Sequence, residues 1–295
     1  MTSANAEPLG VWKKTGTFLE MIKISHTVFA LPFAIGAAFL AAAGVPSLPV
    51  LAKIIGAVVL ARTASMSFNR LVDHRIDAQN PRTATRALPA GELSRGFVIA
   101  VTIGCVAGFL AIAASLNPLA LQLAPVVLVV LLGYSLTKRF TALCHAVLGL
   151  ALGLAPVGAW VAVRGELDWT PALLALVVLL WTTGFDVIYA CMDEAFDRKA
   201  GLFSIPARLG IPRALRLAAA LHIGMVAALV GLWWYADGLN TIFLCTTGVV
   251  SALLIYEHAL VRPDDLSRVN RAFFTMNGII SFLVMASLIA ESVVA

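Results

Sequence analysis

Long apolar stretches separated by short polar segments run along the whole chain. Nine of these stretches approach the roughly 20 mostly apolar residues that a membrane-crossing helix needs. They lie at about 26–44, 49–69, 96–115, 118–137, 142–163, 170–190, 213–235, 239–258 and 272–292. The pattern therefore predicts an all-α, polytopic membrane protein with nine transmembrane helices.

A segment of mixed polarity precedes the first apolar stretch. From about 8 to 25, lysines alternate with apolar residues such as Trp12 and Phe18 at helical spacing. Such an amphipathic segment is typical of a helix that lies in the membrane interface. We expect an interfacial helix here, as the start of a single membrane domain over residues 1–295.

Composition excludes other classes of protein. Charged residues make up 13% of the chain, against about 25% in a soluble domain, and the mean hydropathy is +0.93. A disordered chain, which has few apolar residues and a high net charge, is excluded. The composition also argues against a soluble two-domain enzyme. The four cysteines show no CxxC spacing and are expected to serve packing alone.

The basic residues predict the orientation of the chain. If the N-terminus is cytoplasmic, only Lys53 and Arg164 of the 21 basic residues fall on the far side of the membrane. The excess of lysine and arginine in cytoplasmic loops then places the N-terminus inside and the C-terminus outside. We expect a multi-pass protein of the bacterial inner membrane.

Acidic residues cluster at the end of the second predicted span. Asn69, Asp73 and Asp77 are spaced at i, i+4 and i+8, which on a helix is one face. Carboxylates at a membrane boundary are costly and usually functional.

A second cluster with the same spacing follows the sixth predicted span. Tyr189, Asp193 and Asp197 again predict one helix face. Four spans separate the clusters, so both lie at the cytoplasmic side and the aspartate pairs can face each other.

Four converging carboxylates would repel one another unless cations lay between them. Mg²⁺ prefers oxygen ligands and is commonly bound through carboxylates and substrate phosphates. Basic residues that could hold a diphosphate flank both clusters: Arg82, Arg86, Lys138, Arg139, Arg198 and Lys199. Together these residues indicate a Mg²⁺-diphosphate site.

The two clusters resemble the two signatures of the UbiA family of intramembrane aromatic prenyltransferases. The first is Asn69-x3-Asp73-x3-Asp77, continued by residues 81–91, and the second is Tyr189-x3-Asp193-x3-Asp197, continued by 201–206. Segments 23–32 and 134–138 also resemble family segments in the right order. One departure is Arg70, where many members have aspartate.

The resemblance implies nine spans around a central cavity and transfer of a polyprenyl group from its diphosphate to an aromatic ring. The four aspartates would hold Mg²⁺. The residues expected to contact the diphosphate are Lys23, Arg82, Tyr134, Lys138 and Tyr189. Phe68, Tyr134, Trp181 and Tyr189 are candidates for an aromatic lining of the cavity.

The resemblance also indicates where the aromatic acceptor binds. Arg62, seven residues before Asn69, and Asp186, seven residues before Asp193, match positions near the acceptor. Arg62 would bind a carboxylate or extend its charge to the interface. Asn69 would orient the acceptor, bind metal or contact a neighbouring helix.

Three readings of function remain open. The resemblance favours 4-hydroxybenzoate as the acceptor, in ubiquinone or menaquinone synthesis. The protein is then expected to contact membrane lipid and to bind no nucleic acid. A dihydroxynaphthoate acceptor on a menaquinone route fits the same chemistry. A transporter is the alternative of another class, although transporters more often bind substrate near the membrane midplane.

Overall fold

The chain folds into helices in the computed structural model, which describes residues 11–23 and 29–294. Within these ranges there is no strand, only an isolated bridge between Arg262 and Asp265. The helices are α1 (Val11–Met21), α2 (Leu31–Ala42), α3 (Leu48–Gln79), α4 (Arg95–Leu116), α5 (Pro118–Thr137), α6 (Cys144–Arg164), α7 (Trp169–Ala190), α8 (Glu194–Ala200), α9 (Ile205–Leu209), α10 (Ile211–Tyr235), α11 (Thr241–Leu260), α12 (Val269–Arg271) and α13 (Asn277–Val294).

Eight helices of the described residues are long and apolar enough to cross a membrane. They correspond to the second through ninth predicted spans, and the chain is an integral membrane protein. The first predicted span, 26–44, corresponds to α2, which is apolar but has only 12 residues. Residues 24–28 lie outside the described part of the chain. The all-α membrane fold is therefore confirmed, with the short helix α2 in the place of the first predicted span.

The second span is longer than predicted. The apolar stretch ends near residue 69, but α3 continues for ten more residues and ends at Gln79. Asn69, Asp73 and Asp77 therefore lie on one continuous helix, as their spacing predicts. At about 1.5 Å per residue, the 32 residues of α3 span about 48 Å.

The second acidic cluster departs from the predicted single helix. α7 ends at Ala190, a 3₁₀ turn covers Cys191–Asp193, and α8 begins at Glu194. Tyr189, Asp193 and Asp197 therefore do not lie on one regular α-helix, although all three line the same cavity. The amide of Cys191 bonds to the carbonyls of both Ile188 and Tyr189, so the backbone tightens at this point.

Close packing of α6 on α7 depends on two glycines one turn apart. A Cβ atom at Gly149 would lie 2.5 Å from the carbonyl oxygen of Leu179, and one at Gly153 would lie 2.8 Å from that of Ala175. Small residues at this spacing allow helix backbones to approach each other in a membrane. The contact aligns the first turn of α6 with the last turns of α7, where the site is built.

The N-terminal helix α1 packs through one face. Phe18, Met21 and Ile22 are buried, and the Phe18 ring meets the Phe97 ring of α4 edge-on at 5.7 Å. Trp12 is 90% exposed. The amphipathic pattern predicted for about 8–25 is present over the described residues 11–23, while 8–10 and 24–25 lie outside them. Its position in the membrane interface stays a prediction.

Candidate active site

The helices enclose an apolar cavity of about 700 Å³ that adjoins a polar pocket of about 160 Å³. The two spaces lie side by side, since seven residues line both. The shared residues are Asn69, Arg70, Arg82, Arg86, Lys138, Asp193 and Asp197. We call the end of the bundle that holds the polar pocket the polar end.

The remaining predicted site residues line one space or the other. Asp73 and Asp77 line the polar pocket. The residues that line the apolar cavity are Lys23, Arg62, Tyr134, Asp186 and Tyr189. These residues are therefore brought together at the two spaces, although they come from distant parts of the chain. Of the basic residues predicted to flank the clusters, Arg139, Arg198 and Lys199 line neither space.

Asp73 is buried and held by two cations. Lys138 donates from Nζ to Oδ2 over 2.6 Å, and Arg139 donates from Nη2 to Oδ1 over 2.9 Å. Both cations lie just after α5, so they reach the carboxylate from a neighbouring element. Asn69 adds a third donor through Nδ2, at 3.1 Å.

Asp77, one turn further along α3, is paired with a loop arginine. Nη1 of Arg86 lies 2.7 and 2.8 Å from the two carboxylate oxygens. Arg70 adds a longer ion pair at 3.9 Å. The Thr83 hydroxyl bonds to the Asp77 carbonyl at 3.0 Å and fixes the loop that carries Arg86.

Asp193 receives a two-point ion pair from Arg82. The guanidinium donates to Oδ1 at 2.8 Å through Nε and also to Oδ2 through Nη2. It donates as well to the Tyr189 hydroxyl, at 3.1 Å. Burial acts to lower the pKa of Arg82, but hydrogen bonding and charge from Asp193 outweigh it and raise that pKa above its usual value. Arg82 is therefore charged at physiological pH.

Asp197 completes the set of four carboxylates. It is half-buried and lines both spaces. Ser204, seven residues further on, caps α9 by accepting from the amide of Ala207 at 3.3 Å. The segment after α8 thus turns back toward the polar pocket.

The donor set of the polar pocket suits a hard cation, because it consists of carboxylate and amide oxygens. Yet across residues 11–23 and 29–294 no three histidine, cysteine, aspartate or glutamate side chains are arranged to hold a metal as they stand. The reason is that Asp73, Asp77 and Asp193 are each turned toward a basic residue. Metal binding by these aspartates stays a prediction, and it requires the ion pairs to exchange partners.

Arg70 is hydrogen-bonded to the side-chain amide of Asn69. Its Nη1 donates to Oδ1 of Asn69 at 3.0 Å, while Asn69 donates through Nδ2 to Asp73. Arginine has no acceptor, so this orientation of the amide is fixed by its partners. Asn69 therefore acts here as a link between Arg70 and Asp73.

Arg62 and Arg70 also bind the end of α1. Arg62 donates to the carbonyls of Ile22 and Lys23 at 3.3 and 2.7 Å, and Arg70 donates to that of Met21 at 3.2 Å. These are carbonyls that a helix C-terminus leaves unpaired. Arg62 thus faces the apolar cavity and anchors α1, a third role beside the two expected for it.

The aromatic lining differs in part from the prediction. Tyr134 and Tyr189 line the apolar cavity, whereas Phe68 and Trp181 do not. The Trp181 ring is fully buried behind the wall and packs edge-on against Phe185, at 4.9 Å, which does line it. Trp181 therefore supports the lining without forming it.

Sequence reasoning gave His145 no role, but the structure places it in the site. Its Nδ1 lies 2.7 Å from Oδ2 of Asp186, and its Nε2 lies 3.2 Å from the amide nitrogen of Ile205. No local motif marks His145, since Asp186 is 41 residues away. Asn80, which donates to Oδ1 of Asp193 at 3.0 Å, was likewise outside the predicted site set.

Known proteins resemble the chain over nearly its whole length. The model of the UbiA prenyltransferase family matches residues 30–279. A 4-hydroxybenzoate octaprenyltransferase of Vibrio parahaemolyticus is 29% identical over 281 residues, which cover 94% of this chain and 98% of that protein.

Solved structures show the same fold. The apo structure of a UbiA homolog from Aeropyrum pernix K1 matches with a TM-score of 0.82 and 35% identity, covering 90% of this chain and 98% of that one. A UbiA homolog from Archaeoglobus fulgidus, bound to GPP and Mg²⁺, matches with a TM-score of 0.73 and 23% identity over 93% of this chain and 99% of that one.

Proposed function

The chain belongs to the UbiA prenyltransferase family, and on that premise we propose that it transfers a polyprenyl group from its diphosphate to an aromatic carboxylic acid. The favoured acceptor is 4-hydroxybenzoate, and the reaction depends on Mg²⁺. The relative from Vibrio parahaemolyticus bears this acceptor in its name. The relative from Archaeoglobus fulgidus was solved with GPP and Mg²⁺.

The observation that supports the proposal most directly is that a large apolar cavity adjoins a charged pocket. The apolar cavity is lined by aliphatic side chains such as Ile54, Leu123 and Leu148, and the polar pocket by charged ones. A molecule with a long hydrocarbon tail and an anionic head matches this division. A polyprenyl diphosphate is such a molecule.

The basic residues of the pocket are available to a diphosphate. Arg82, Arg86 and Lys138 now neutralise aspartates, and each lines both spaces. A diphosphate held by these cations would release the carboxylates. When bound to them, Mg²⁺ supplies further positive charge against the leaving diphosphate.

The reaction breaks the bond between the allylic carbon and the diphosphate oxygen and forms one between that carbon and the acceptor ring. A ring proton leaves, so the charges balance. The cations of the pocket stabilise the negative charge that develops on the diphosphate. The apolar wall, including Phe185 and Tyr189, keeps water from the allylic cation.

The acceptor is expected beside Arg62 and Asp186, which line the apolar cavity near its junction with the pocket. Arg62 would pair with the acid group of the acceptor. A dihydroxynaphthoate would satisfy the same arginine, so the two acids must be compared directly.

We further propose that the polar end faces the cytoplasm of a bacterium. This orientation puts Lys53 and Arg164 outside and the other basic residues inside, as the positive-inside rule requires. The inner membrane is the proposed location, with the N-terminus inside and the C-terminus outside.

The test is a transfer assay on the purified chain in lipid nanodiscs. A labelled polyprenyl diphosphate is offered with 4-hydroxybenzoate or with a dihydroxynaphthoate, with and without a chelator. Prenylated acid that requires Mg²⁺ and is lost in Asp193→Asn supports the proposal, and the better acid identifies the acceptor. Transport of either compound into liposomes without product would instead support a transporter.

A further inference from the structure

His145 links Asp186, in the wall of the apolar cavity, to the chain segment that follows Asp197. It lies at the start of α6, is 4% exposed and lines the apolar cavity. One ring nitrogen contacts Asp186 on α7, and the other contacts the backbone at the start of α9. Two parts of the chain thus meet at one imidazole.

The partners of His145 fix its protonation and tautomer. The amide of Ile205 is a donor, so Nε2 of His145 must accept and carries no proton. Nδ1 then bears the only ring proton and donates it to Oδ2 of Asp186 at 2.7 Å. By this geometry the ring carries a single proton, on Nδ1.

This bond orients the carboxylate of Asp186. Its side chain is 23% exposed and lines the apolar cavity. Oδ2 is held by His145, while Oδ1 has no hydrogen bond from any residue in the described ranges. One oxygen is thus fixed and the other left available to a ligand in the cavity.

The second bond connects His145 to the segment that follows Asp197. The amide of Phe203 donates to the Lys138 carbonyl at 2.7 Å, and the thiol of Cys144 donates to the Phe203 carbonyl at 3.2 Å. His145 thus belongs to a set of bonds that holds this segment against the α5–α6 connection. Lys138, which pairs with Asp73, lies at the other end of that set.

We propose that His145 is a positioning residue for the acceptor. It holds Asp186 so that Oδ1 accepts a hydrogen bond from a hydroxyl group on the aromatic acid. The inference rests on the proposed function, because it requires an acceptor with a hydroxyl group in the cavity. Neutral histidine is needed in this role, since a second ring proton would break the bond to Ile205.

Two substitutions separate the bonds of the imidazole. The side-chain amide of His145→Asn can replace the Nδ1 donor to Asp186, whereas His145→Gln can replace only the Nε2 acceptor for Ile205. We expect His145→Gln to lower kcat/KM for the acid at least tenfold, with KM for the diphosphate within twofold of wild type. His145→Asn should retain most of the wild-type kcat/KM for the acid.

A double-mutant cycle with Asp186→Asn tests whether the two residues act together. If they do, His145→Gln adds little to the effect of Asp186→Asn. Equal effects of His145→Gln and His145→Asn, or additive effects with Asp186→Asn, would overturn the proposal. So would a change in KM for the diphosphate alone.

Nitrogen NMR of the histidine-labelled wild-type chain provides a test that does not depend on activity or on stable variants. We expect the Nδ1–H tautomer for His145 at pH 7. The signal of His145 is assigned by its absence from the spectrum of His145→Asn or, if that variant does not fold, from that of His145→Gln. An Nε2–H or doubly protonated ring would overturn the proposal. If the wild-type chain prenylates neither acid, both the proposed function and the role of His145 are overturned. If the wild-type chain is active and His145→Gln has the same kcat/KM for the acid, only the role of His145 is overturned.

Discussion

Arg82 and Asp193, which are 111 residues apart in the chain, form a two-point ion pair across the polar pocket. Arg82 lies in the loop after α3, and Asp193 lies in the turn after α7. The pair therefore joins the two aspartate motifs. It also balances charge in a part of the protein where an unpaired carboxylate is costly.

Removing the charge of Arg82 should weaken diphosphate binding. Arg82→Gln keeps hydrogen-bonding capacity but loses the two-point pairing that guanidinium allows. We expect KM for the polyprenyl diphosphate to rise at least tenfold, or about 1.4 kcal/mol. The exposed Arg213, which lines neither space, supplies the control Arg213→Gln. An unchanged KM in Arg82→Gln would contradict the prediction.

Mg²⁺ and diphosphate should assist each other in binding. Asp73 is now engaged by Lys138 and Arg139, and a diphosphate that draws these cations away frees the carboxylate. Calorimetry should show tighter Mg²⁺ binding in the presence of a non-hydrolysable prenyl diphosphate, and the reverse by the same factor.

Asp73→Asn should abolish most of this coupling, while Asp264→Asn, in an exposed loop, should leave it intact. Independent binding of the two ligands to the wild-type protein would show that the ion pairs do not exchange.

An added methyl group at Gly149 should destabilise the protein. The Cβ of alanine would lie 2.5 Å from a backbone oxygen of α7, which cannot move without shifting that helix. We expect Gly149→Ala to cost about 1–3 kcal/mol and to lower the thermal midpoint in detergent. Gly158→Ala, on the same helix with nothing within 4 Å, is the matched control. Equal midpoints for the two variants would show that α6 and α7 tolerate a wider separation.

Filling the apolar cavity should shorten the prenyl chain that the enzyme accepts. Gly158 lines the cavity 14 residues after the start of α6, about 21 Å along the helix axis. Gly158→Phe should reduce turnover of long polyprenyl diphosphates while retaining turnover of geranyl diphosphate. Equal losses for both lengths would mean that the tail does not extend past this position.

Features that depend on local spacing could be predicted from the sequence. Apolar stretches of sufficient length located eight spans, because a helix in lipid must satisfy its own backbone. Asn69, Asp73 and Asp77 share a face because one helix carries them all. The family resemblance depended on the same local motifs, and the family match confirms it.

Features that depend on tertiary contacts could not be predicted from the sequence. Nothing near His145 in the sequence indicates Asp186, since helix packing alone brings α6 against α7. The 3₁₀ turn before Asp193 has no signal in the residue spacing, which continues through it unchanged. The anchoring of α1 by Arg62 and Arg70 likewise requires the carbonyls of another helix.

The length of α3 has a consequence for where the reaction occurs. Its first half, with Ile54 and Ala61, lines the apolar cavity, and its last turns, with Asp73 and Asp77, line the polar pocket. At about 48 Å, the helix exceeds the roughly 30 Å hydrocarbon layer. In the proposed orientation, α3 thus extends from the hydrocarbon layer into the polar region on the cytoplasmic side. Under the proposed function, the lipid-soluble donor and the water-soluble acid then meet at the membrane surface, and neither has to leave the phase in which it is soluble.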